Sequence, residues 1–191
     1  NGTAKKMASA SFSDVRRSGI IAIKLDRGDK LASAVITDKG DEVMLATSDG
    51  QSIRFKESDI REMGRTAGGV RGIKISKTDE VIGVDVIKKD QKDGTFLTMS
   101  ANGFGKKTSL KEYKVQNRGG SGIKTAKITT KTGKLIVAKV INSEEELIAM
   151  SKKGQVIRTA LKDIPSLGRQ TQGVTIMRLR AGDGIASLVC A

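Results

Sequence analysis

The hydrophobic residues of this chain lie in short runs that alternate with turns, and the second quarter of the chain shows this most clearly. Leu31–Thr37 and Glu42–Thr47 are rich in apolar and β-branched residues, and Ser52–Phe55 and Val70–Ile75 follow them. Short runs of this kind, bounded by Gly, Asp and Ser, are typical of β-strands. We therefore predict four strands between residues 31 and 75.

The turn between the second and third of these strands carries the strongest local signal. Asp49 and Gly50 favour a two-residue hairpin, because a type I′ turn needs positive φ at both positions. Related dipeptides stand at three other places: Asn1-Gly2, Asn102-Gly103 and Lys153-Gly154. No stretch sustains a helical period, so the chain is predicted to be all-β.

The pattern repeats along the whole chain with a period of about 50 residues. A first glycine marks the hairpin turn of each copy: Gly2, Gly50, Gly103 and Gly154. A second glycine follows in each copy: Gly19, Gly69, Gly122 and Gly173. One residue after the second glycine stands an apolar side chain: Ile20, Val70, Ile123 and Val174. Such a period is the signature of a propeller or a stacked array, so we expect four-stranded blades around an axis.

These repeats define the predicted organisation of the chain. We expect a single domain of about four repeats, approximately 1–30, 31–80, 81–133 and 134–191. The chain starts at a hairpin turn and finishes in the lone strand Ile185–Cys190, which makes three whole units and a split one. We expect either that the two ends close a ring together or that the chain is a piece of a larger ring.

The charge of the chain indicates its partner. Thirty-five Lys and Arg stand against 21 Asp and Glu, a formal net charge of +14 on 191 residues. An evenly spread excess would argue only for solubility, but this excess is periodic, which favours a polyanion. Aromatic residues make up only 3% of the chain, whereas single-strand binders stack bases on aromatic side chains. Duplex DNA held by its phosphates therefore fits better.

Basic residues occupy fixed places in the repeat, and three sets of them are candidate phosphate contacts. The hairpin set stands four residues after the first glycine: Lys6, Arg54, Lys107 and Arg158. The loop set lies just before the second glycine: Arg17, Arg65, Arg118 and Arg169. The strand set stands five residues after the second glycine: Lys24, Lys74, Lys127 and Arg178. A base fixed within the period predicts a positive stripe around the array.

The loops before the second glycine are themselves rich in glycine, as in Gln116–Gly122, with Gly119 and Gly120 at its centre. Glycine lets the backbone approach a ligand, and N–H groups in such a concavity bind anions. Arginine adds a fork for phosphate oxygens. The alternative is that the glycines only permit tight turns. Because the arginine recurs with them, we favour phosphate contact and include Gly119 and Gly120 among the candidate DNA-binding residues.

Few residues offer other chemistry. The chain has no His and only one Cys, Cys190, which excludes an internal disulfide and a Cys/His zinc site. Tyr113 is the one conceivable nucleophile, but its repeat position is apolar in the other copies, which predicts a core role. No apolar run approaches the length of a membrane span and no signal peptide is present, so we expect a cytoplasmic chain without a membrane partner.

Several of these motifs together resemble one known family. Gly64–Ile73, with Ile53–Phe55 upstream of it, resembles the C-terminal domain of DNA gyrase A, as do Gln116–Gly122 and Gly168–Val174. The resemblance covers essentially the whole chain. The corresponding domain of topoisomerase IV is similar but more degenerate, and it is the nearest alternative.

The resemblance implies a fold and a function. The fold would be a β-pinwheel, a propeller-like disc whose blades exchange strands, with double-stranded DNA wrapped around its basic rim. The function would be that of a non-catalytic module, working with the remainder of gyrase A and with gyrase B, whose ATP hydrolysis drives negative supercoiling. ATP, Mg and the catalytic tyrosine belong to other parts of such an enzyme, so no cofactor is expected in this chain. Its setting would be the bacterial cytoplasm, at the nucleoid.

The family also carries a seven-residue basic box in its first blade. Gln116–Gly122 resembles that box but has Asn117 and Ser121 at two of its basic places, so we interpret it as a later-blade relative. Members of the family usually have six blades and sometimes five. The first blades are therefore expected to be missing from this sequence.

Two other classes of function remain open. A propeller could scaffold proteins, with its basic rim meeting an acidic partner, or it could carry an enzyme site on its axis. The enzyme is disfavoured because His and convergent catalytic motifs are absent. The scaffold and the DNA binder differ in their response to salt, because affinity for DNA falls steeply as counterions are released.

Overall fold

The computed structural model describes residues 1–15, 17–91 and 93–191, so Arg16 and Lys92 lie outside it. These residues form thirteen β-strands: β1 (Thr3–Ala4), β2 (Glu42–Thr47), β3 (Gln51–Lys56), β4 (Val70–Arg71), β5 (Val81–Ile87), β6 (Thr95–Ser100), β7 (Phe104–Ser109), β8 (Ile123–Lys124), β9 (Leu135–Ile141), β10 (Glu146–Ser151), β11 (Val156–Ala160), β12 (Val174–Thr175) and β13 (Ile185–Cys190). Four short 3-10 turns accompany them: Ser9–Phe12, Glu57–Asp59, Leu110–Glu112 and Leu161–Asp163. No helix in the described part of the chain has the length and hydropathy to cross a membrane.

The strands form antiparallel sheets that share strands between neighbouring repeats. The two complete sheets have the orders β5-β2-β3-β8 and β9-β6-β7-β12, and the others are β13-β10-β11 and β1-β4. In each case the short strand β4, β8 or β12 follows the second glycine of one repeat and pairs with the hairpin of the repeat before it. The predicted all-β fold of four-stranded blades is therefore confirmed, and the blades exchange strands as in a β-pinwheel.

The exchanged strands use one register throughout. Val70 pairs with Ala4, Ile123 with Ser52 and Val174 with Gly105. In every case the residue after a second glycine lies opposite the residue two positions after the preceding first glycine. Because the register repeats, the bases fixed in the sequence period also take equivalent places on successive blades.

The hydrophobic core is divided among the spaces between blades. Successive side chains of a strand point to opposite faces, and β2 shows this: Val43 and Leu45 join one buried cluster, whereas Met44 and Ala46 join the next. A third cluster, built around Leu97, fills the space between the last two blades. Each blade is thus buried on the faces that meet its neighbours.

Tyr113 lies in this core, as its repeat position predicts. Its side chain is 1% exposed, and its ring packs edge-on against Phe96 with centroids 5.5 Å apart. The Tyr113 hydroxyl shares a hydrogen bond with Thr125 Oγ1 at 2.5 Å, and burial raises the pKa of the phenol. A buried phenol held in this way has no access to a DNA strand.

The hairpin tip at Asp49 and Gly50 is where the sequence predicts it, but its turn type is different. Gly50 has a φ of 82°, and no described residue other than glycine has positive φ, so Asp49 cannot belong to a type I′ turn. The Gly50 N–H donates to the Thr47 carbonyl at 3.0 Å. This arrangement fits a type I turn closed by a glycine in the left-handed region, the next common hairpin connection.

Two strand predictions for the second repeat need correction. Leu31–Thr37 forms no strand, and Val70–Ile75 is a strand only at Val70–Arg71. Residues 31–37 occupy the repeat place of β5, β9 and β13, each of which pairs with the first strand of a hairpin. No described strand stands in that place beside residues 31–37, and β-branched residues without a partner strand cannot form a ladder.

Candidate nucleic-acid interface

The hairpin set reaches from each blade to the next, beginning with Lys6. Lys6 Nζ donates to Glu57 Oε2 at 2.5 Å and to the Glu57 carbonyl at 3.2 Å. The Glu57 side chain is only 8% exposed, and the hydrogen bond from Lys6 lowers the pKa of its carboxyl group. The charge of Lys6 is therefore compensated within the protein.

Two further members of the hairpin set repeat this link. Arg54 pairs with Glu42 Oε2 at 2.5 Å, and its Nη1 donates to the Leu110 carbonyl at 2.9 Å. Lys107 Nζ donates to the Leu161 carbonyl at 2.6 Å. Glu57, Leu110 and Leu161 are the first residues of successive 3-10 turns. The hairpin set thus joins each blade to the turn of the following one.

Arg158 keeps only half of this arrangement. It pairs with Glu146 Oε2 at 2.5 Å, as Arg54 does with Glu42, but the side chain remains 69% exposed. Its guanidinium group donates to no carbonyl among the described residues. Arg158 therefore differs from the other three members of the set, each of which donates to a carbonyl of the following 3-10 turn.

The loop set divides into two groups. Arg118 donates to the carbonyls of Asp59 at 2.8 Å and Arg71 at 3.0 Å, and Arg169 donates to the Lys124 carbonyl at 3.1 Å. These two guanidinium groups bind the backbone of the preceding repeat. Arg17 and Arg65 are exposed, and neither side chain has an ion pair or hydrogen bond with another described residue.

The strand set differs from the hairpin and loop sets because none of its charged groups is paired with a described residue. Its four members are exposed, and no side chain of the set pairs with a described carboxylate or carbonyl: Lys24, Lys74, Lys127 and Arg178. The backbone holds three of them in place. The Lys74 N–H donates to the Gly120 carbonyl at 2.8 Å, and the Lys127 N–H donates to the Thr171 carbonyl at 3.1 Å. The Lys24 N–H meets the Ala67 carbonyl at 3.5 Å in the same way.

Two more exposed bases stand beside this set, and the sequence reasoning missed them. Arg71 and Lys124 lie in β4 and β8, two residues after the second glycine, and their side chains have no partner among the described residues. This repeat position does not stand out as basic in the sequence, because Ile21 and Thr175 occupy it in the other two repeats. The second and third repeats therefore each present two free bases close to the exchanged strand.

Gly119 and Gly120 both bond through the backbone to the preceding repeat. Gly119 has a φ of 83°, and its N–H donates to the Gly72 carbonyl at 2.6 Å. The Gly120 carbonyl accepts from Lys74. The Gly119 N–H is therefore not free to bind an anion, and phosphate contact at Gly120 stays a prediction.

Lys106 is a buried lysine beneath the loop of the fourth repeat. Its side chain is 1% exposed, and Nζ donates to the carbonyls of Gly168 at 2.5 Å and Arg169 at 2.6 Å and to Thr171 Oγ1 at 3.1 Å. Lys5 takes the same place in the first repeat and donates to the Arg65 carbonyl. Lys5-Lys6 and Lys106-Lys107 stand at the same place of their repeats in the sequence. This recurrence could have indicated the contacts of Lys5 and Lys106.

Lys106 gives the stability of the chain a predictable pH dependence. Burial lowers the pKa of its ammonium group from 10.5 to about 8. Between about pH 8 and pH 10.5 Lys106 binds more protons in the unfolded state than in the folded state. The free energy of unfolding therefore rises with pH in this range. Relative to Lys106→Met, we expect the native chain to gain on the order of 2 kcal/mol in unfolding free energy between about pH 7 and pH 9.5. Denaturant titrations at both pH values measure this difference.

The matched control is Lys114→Met, because Lys114 is exposed and its side chain has no partner among the described residues. That variant should follow the native pH dependence. Parallel curves for the native chain and Lys106→Met would contradict the assignment of the shifted proton to Lys106.

Other chemistry is not apparent in the described residues. No group of three or more His, Cys, Asp or Glu among them could hold a metal ion. Cys190 is buried, and burial raises the pKa of its thiol. The exposed, unpaired bases of the strand set therefore remain the candidate functional residues of the described chain.

Antiparallel blades that exchange strands, with at least one exposed, unpaired base at an equivalent position of each repeat, define a propeller-like repeat protein. The chain belongs to the DNA gyrase C-terminal domain family, a beta-propeller family whose sequence model matches residues 1–38, 41–88, 95–142 and 145–191. The chain is similar to the DNA gyrase A protein of Haloquadratum walsbyi, with 39% identity over 188 residues, which is 98% of this chain and 22% of that protein. The DNA gyrase A protein of Mycolicibacterium smegmatis is 38% identical over 190 residues, with the same coverage. The chain thus spans about a fifth of the length of these curated relatives.

Solved structures agree with the fold. A structure of the DNA gyrase A C-terminal domain superimposes with a TM-score of 0.88 at 26% identity, covering 99% of this chain and 62% of that one. The C-terminal domain of DNA topoisomerase IV superimposes with a TM-score of 0.92 at 21% identity, covering 100% of this chain and 59% of that one. The second comparison supports the fold alone.

Proposed function

We propose that this chain is a non-catalytic module that binds double-stranded DNA and wraps it around a basic rim, as part of DNA gyrase A. In the whole enzyme this wrapping supports ATP-dependent negative supercoiling. The partners are duplex DNA, the remainder of gyrase A, and gyrase B. ATP and Mg act in other parts of that enzyme, in the bacterial cytoplasm at the nucleoid.

One observation carries the proposal: the strand set places an exposed, unpaired base at the same position of each repeat. Three bases of the hairpin set, Lys6, Arg54 and Arg158, pair with carboxylates of the protein, so their charges are partly compensated. The strand set, with Arg71 and Lys124 beside it, forms a regular row of cations. DNA is a regular row of phosphates, and such cations release condensed counterions when they meet it.

The composition of the site favours binding without sequence preference. Lysine ammonium groups and arginine forks meet phosphate oxygens, and such contacts position a duplex without identifying its bases. Aromatic residues make up only 3% of the chain, so stacking of unpaired bases contributes little. Bending a duplex along a curved rim costs of order 1–6 kcal/mol for a site of about 20–30 base pairs, which the phosphate contacts have to offset.

The proposal is tested by relaxing a closed circular plasmid with a type I topoisomerase in the presence of increasing amounts of the chain. Wrapping changes the linking number that remains after the protein is removed, so the topoisomer distribution should shift in proportion to bound protein. The sign of the shift gives the handedness of the wrap. A filter or anisotropy titration with salt should give a slope of roughly −0.9 per phosphate contact.

Two results would argue against the proposal. An unchanged topoisomer distribution at saturating protein would mean binding without wrapping. A salt slope near zero on duplex DNA, together with tight binding of poly-glutamate, would favour the protein scaffold with an acidic partner.

A further inference from the structure

Lys106 holds the loop of the fourth repeat, residues 168–171, from the inside of the protein. It lies in β7, and its side chain is 1% exposed. Its Nζ donates to three acceptors of the loop, the carbonyls of Gly168 and Arg169 and Oγ1 of Thr171. A lysine ammonium group has three donors. All three of them can therefore be satisfied by this one loop.

The same loop fixes the backbone of two candidate DNA-binding residues on its outer side. The Thr171 carbonyl accepts the N–H of Lys127 at 3.1 Å. The Arg169 guanidinium group donates to the carbonyl of Lys124, also at 3.1 Å. The side chains of Lys124 and Lys127 are exposed and have no partner among the described residues. The buried Lys106 and the two exposed lysines thus contact the same two residues of the loop.

The first and second repeats meet through the same arrangement. Lys5 takes the place of Lys106, and its Nζ donates to the carbonyl of Arg65, the loop-set arginine of the second repeat. Two residues later the Ala67 carbonyl meets the N–H of Lys24 at 3.5 Å. In both cases an inner lysine binds the carbonyl of a loop-set arginine, and the carbonyl two positions further on meets a strand-set lysine. The arrangement is therefore a recurring feature of the repeat.

The second and third repeats meet without an inner lysine. Ile53 stands in the place of Lys106 and is 0% exposed. Arg118 fastens the loop there instead, through its bond to the Asp59 carbonyl at 2.8 Å. The loop still holds the backbone of Lys74, as described above. Lys74 is therefore an internal reference, a strand-set lysine whose position does not depend on a buried ammonium group.

The charge on Lys106 has little compensation nearby. Burial lowers its pKa to about 8, and the charges of Glu112 and Arg169 act on it in opposite directions. The strands β6 and β12, which flank β7, carry no charged residue. A neutral amine has one donor fewer than an ammonium group, and its hydrogen bonds are weaker. Loss of the proton therefore loosens the grip of Lys106 on the loop.

We propose that Lys106 is a positioning residue for DNA binding. By holding residues 168–171, its ammonium group keeps Lys124 and Lys127 in place to contact the phosphates of a duplex. This role rests on the proposed function, since it needs DNA at the strand set. Without the ammonium group the two bases have to be ordered when DNA binds, and that ordering costs affinity. Bound phosphates in turn favour the charged form of Lys106, because coupling between two sites is reciprocal.

The first test compares the variants Lys106→Met and Lys114→Met at neutral pH, since each removes one lysine charge. Lys114 is exposed, and its side chain has no partner among the described residues. We expect Lys106→Met to bind a duplex at least about fivefold more weakly than the native chain, and Lys114→Met to bind almost as the native chain does. The slope of log affinity against log salt should fall by up to about 1.8 in Lys106→Met, at roughly 0.9 for each of the two contacts.

The pH profile is a readout that a purely structural role would not change. Between about pH 7 and pH 9.5 the native chain should lose on the order of fivefold in affinity, because Lys106 loses its proton in this range. Lys106→Met keeps every other titratable group, so its affinity should change much less. Circular dichroism at both pH values verifies that the strand signal persists. Parallel profiles for the native chain and Lys106→Met would overturn the proposal.

Lysine acetylation with and without duplex DNA locates the effect. In Lys106→Met, protection by DNA should fall at Lys124 and Lys127 but persist at Lys74. The native chain gives the same readout without a substitution, since raising the pH through the pKa of Lys106 should lower protection at the first two lysines relative to Lys74. Unchanged relative protection in the native chain would overturn the proposal even if Lys106→Met did not fold.

The outcomes separate this role from the proposed function. A native chain that does not bind duplex DNA at neutral pH would contradict the proposed function, and the role of Lys106 with it. A native chain that binds, with Lys106→Met matching Lys114→Met in affinity, salt slope and protection, would overturn the role of Lys106 alone.

Discussion

Replacing the four strand-set residues together by glutamine, in the variant Lys24→Gln, Lys74→Gln, Lys127→Gln and Arg178→Gln, should remove most of the salt-dependent affinity for duplex DNA. With one phosphate contact per residue, the slope of log affinity against log salt should fall by about 3.6, at roughly 0.9 per contact. Folding should persist, because these side chains bond to no described residue. Anisotropy titrations on a duplex of about 40 base pairs, at several salt concentrations, measure the slope.

The matched control changes the same amount of charge elsewhere. Lys39, Lys56, Lys89 and Lys162 are exposed, and their side chains have no partner among the described residues. Their replacement by glutamine should lower the slope by much less. Equal losses in the two variants would mean that the DNA responds to net charge and not to a defined row of bases. Arg118 and Arg169 are unsuitable for this test, because their removal also breaks contacts to the backbone.

Gly103→Ala should destabilise the fold strongly, by about 3 kcal/mol or more. Gly103 has a φ of 80°, which costs an alanine roughly 1–2 kcal/mol. An added Cβ would also lie closer than 3.0 Å to the Met177 carbonyl, so the exchanged strand would have to shift, and overpacking of this kind costs about 1–3 kcal/mol. Denaturant unfolding of the two proteins gives the difference.

Gly154→Ala separates the two causes. Gly154 has the same φ of 80° but no neighbour within 4 Å, so it should lose only the backbone part, roughly 1–2 kcal/mol. Similar losses in the two variants would show that strand exchange tolerates the extra methyl group.

The fold was predictable from the sequence because the repeat reports each structural position four times. The hairpin at Asp49 and Gly50 and the core place of Tyr113 both follow from comparing equivalent positions. The strand expected at Leu31–Thr37 does not form, because local propensity cannot supply the neighbouring strand that completes a ladder. The turn type was also wrong, because a glycine closing a type I turn and a type I′ turn share the same dipeptide.

The candidate site was only half predictable. The three sets of bases look equivalent in the sequence, since each recurs with the period. In the structure the three sets differ in whether their charges are paired, because some of the bases have a carboxylate or carbonyl partner elsewhere in the protein. Glu42 stands eight residues before Gly50, and Glu146 stands eight before Gly154. Both carboxylates lie diagonally across from the arginine on the neighbouring strand of their own hairpin and pair with it. A search for carboxylates with the same period would have found these pairs.

Lysine footprinting tests the central claim most directly. The chain is acetylated briefly with and without a saturating duplex, and the modification of each lysine is quantified by mass spectrometry. The account predicts that Lys24, Lys74 and Lys127 are strongly protected by DNA while Lys39, Lys56 and Lys89 react as in the free chain. Protection of the second group to the same extent, or no protection of the first, would contradict a row of bases that follows the DNA.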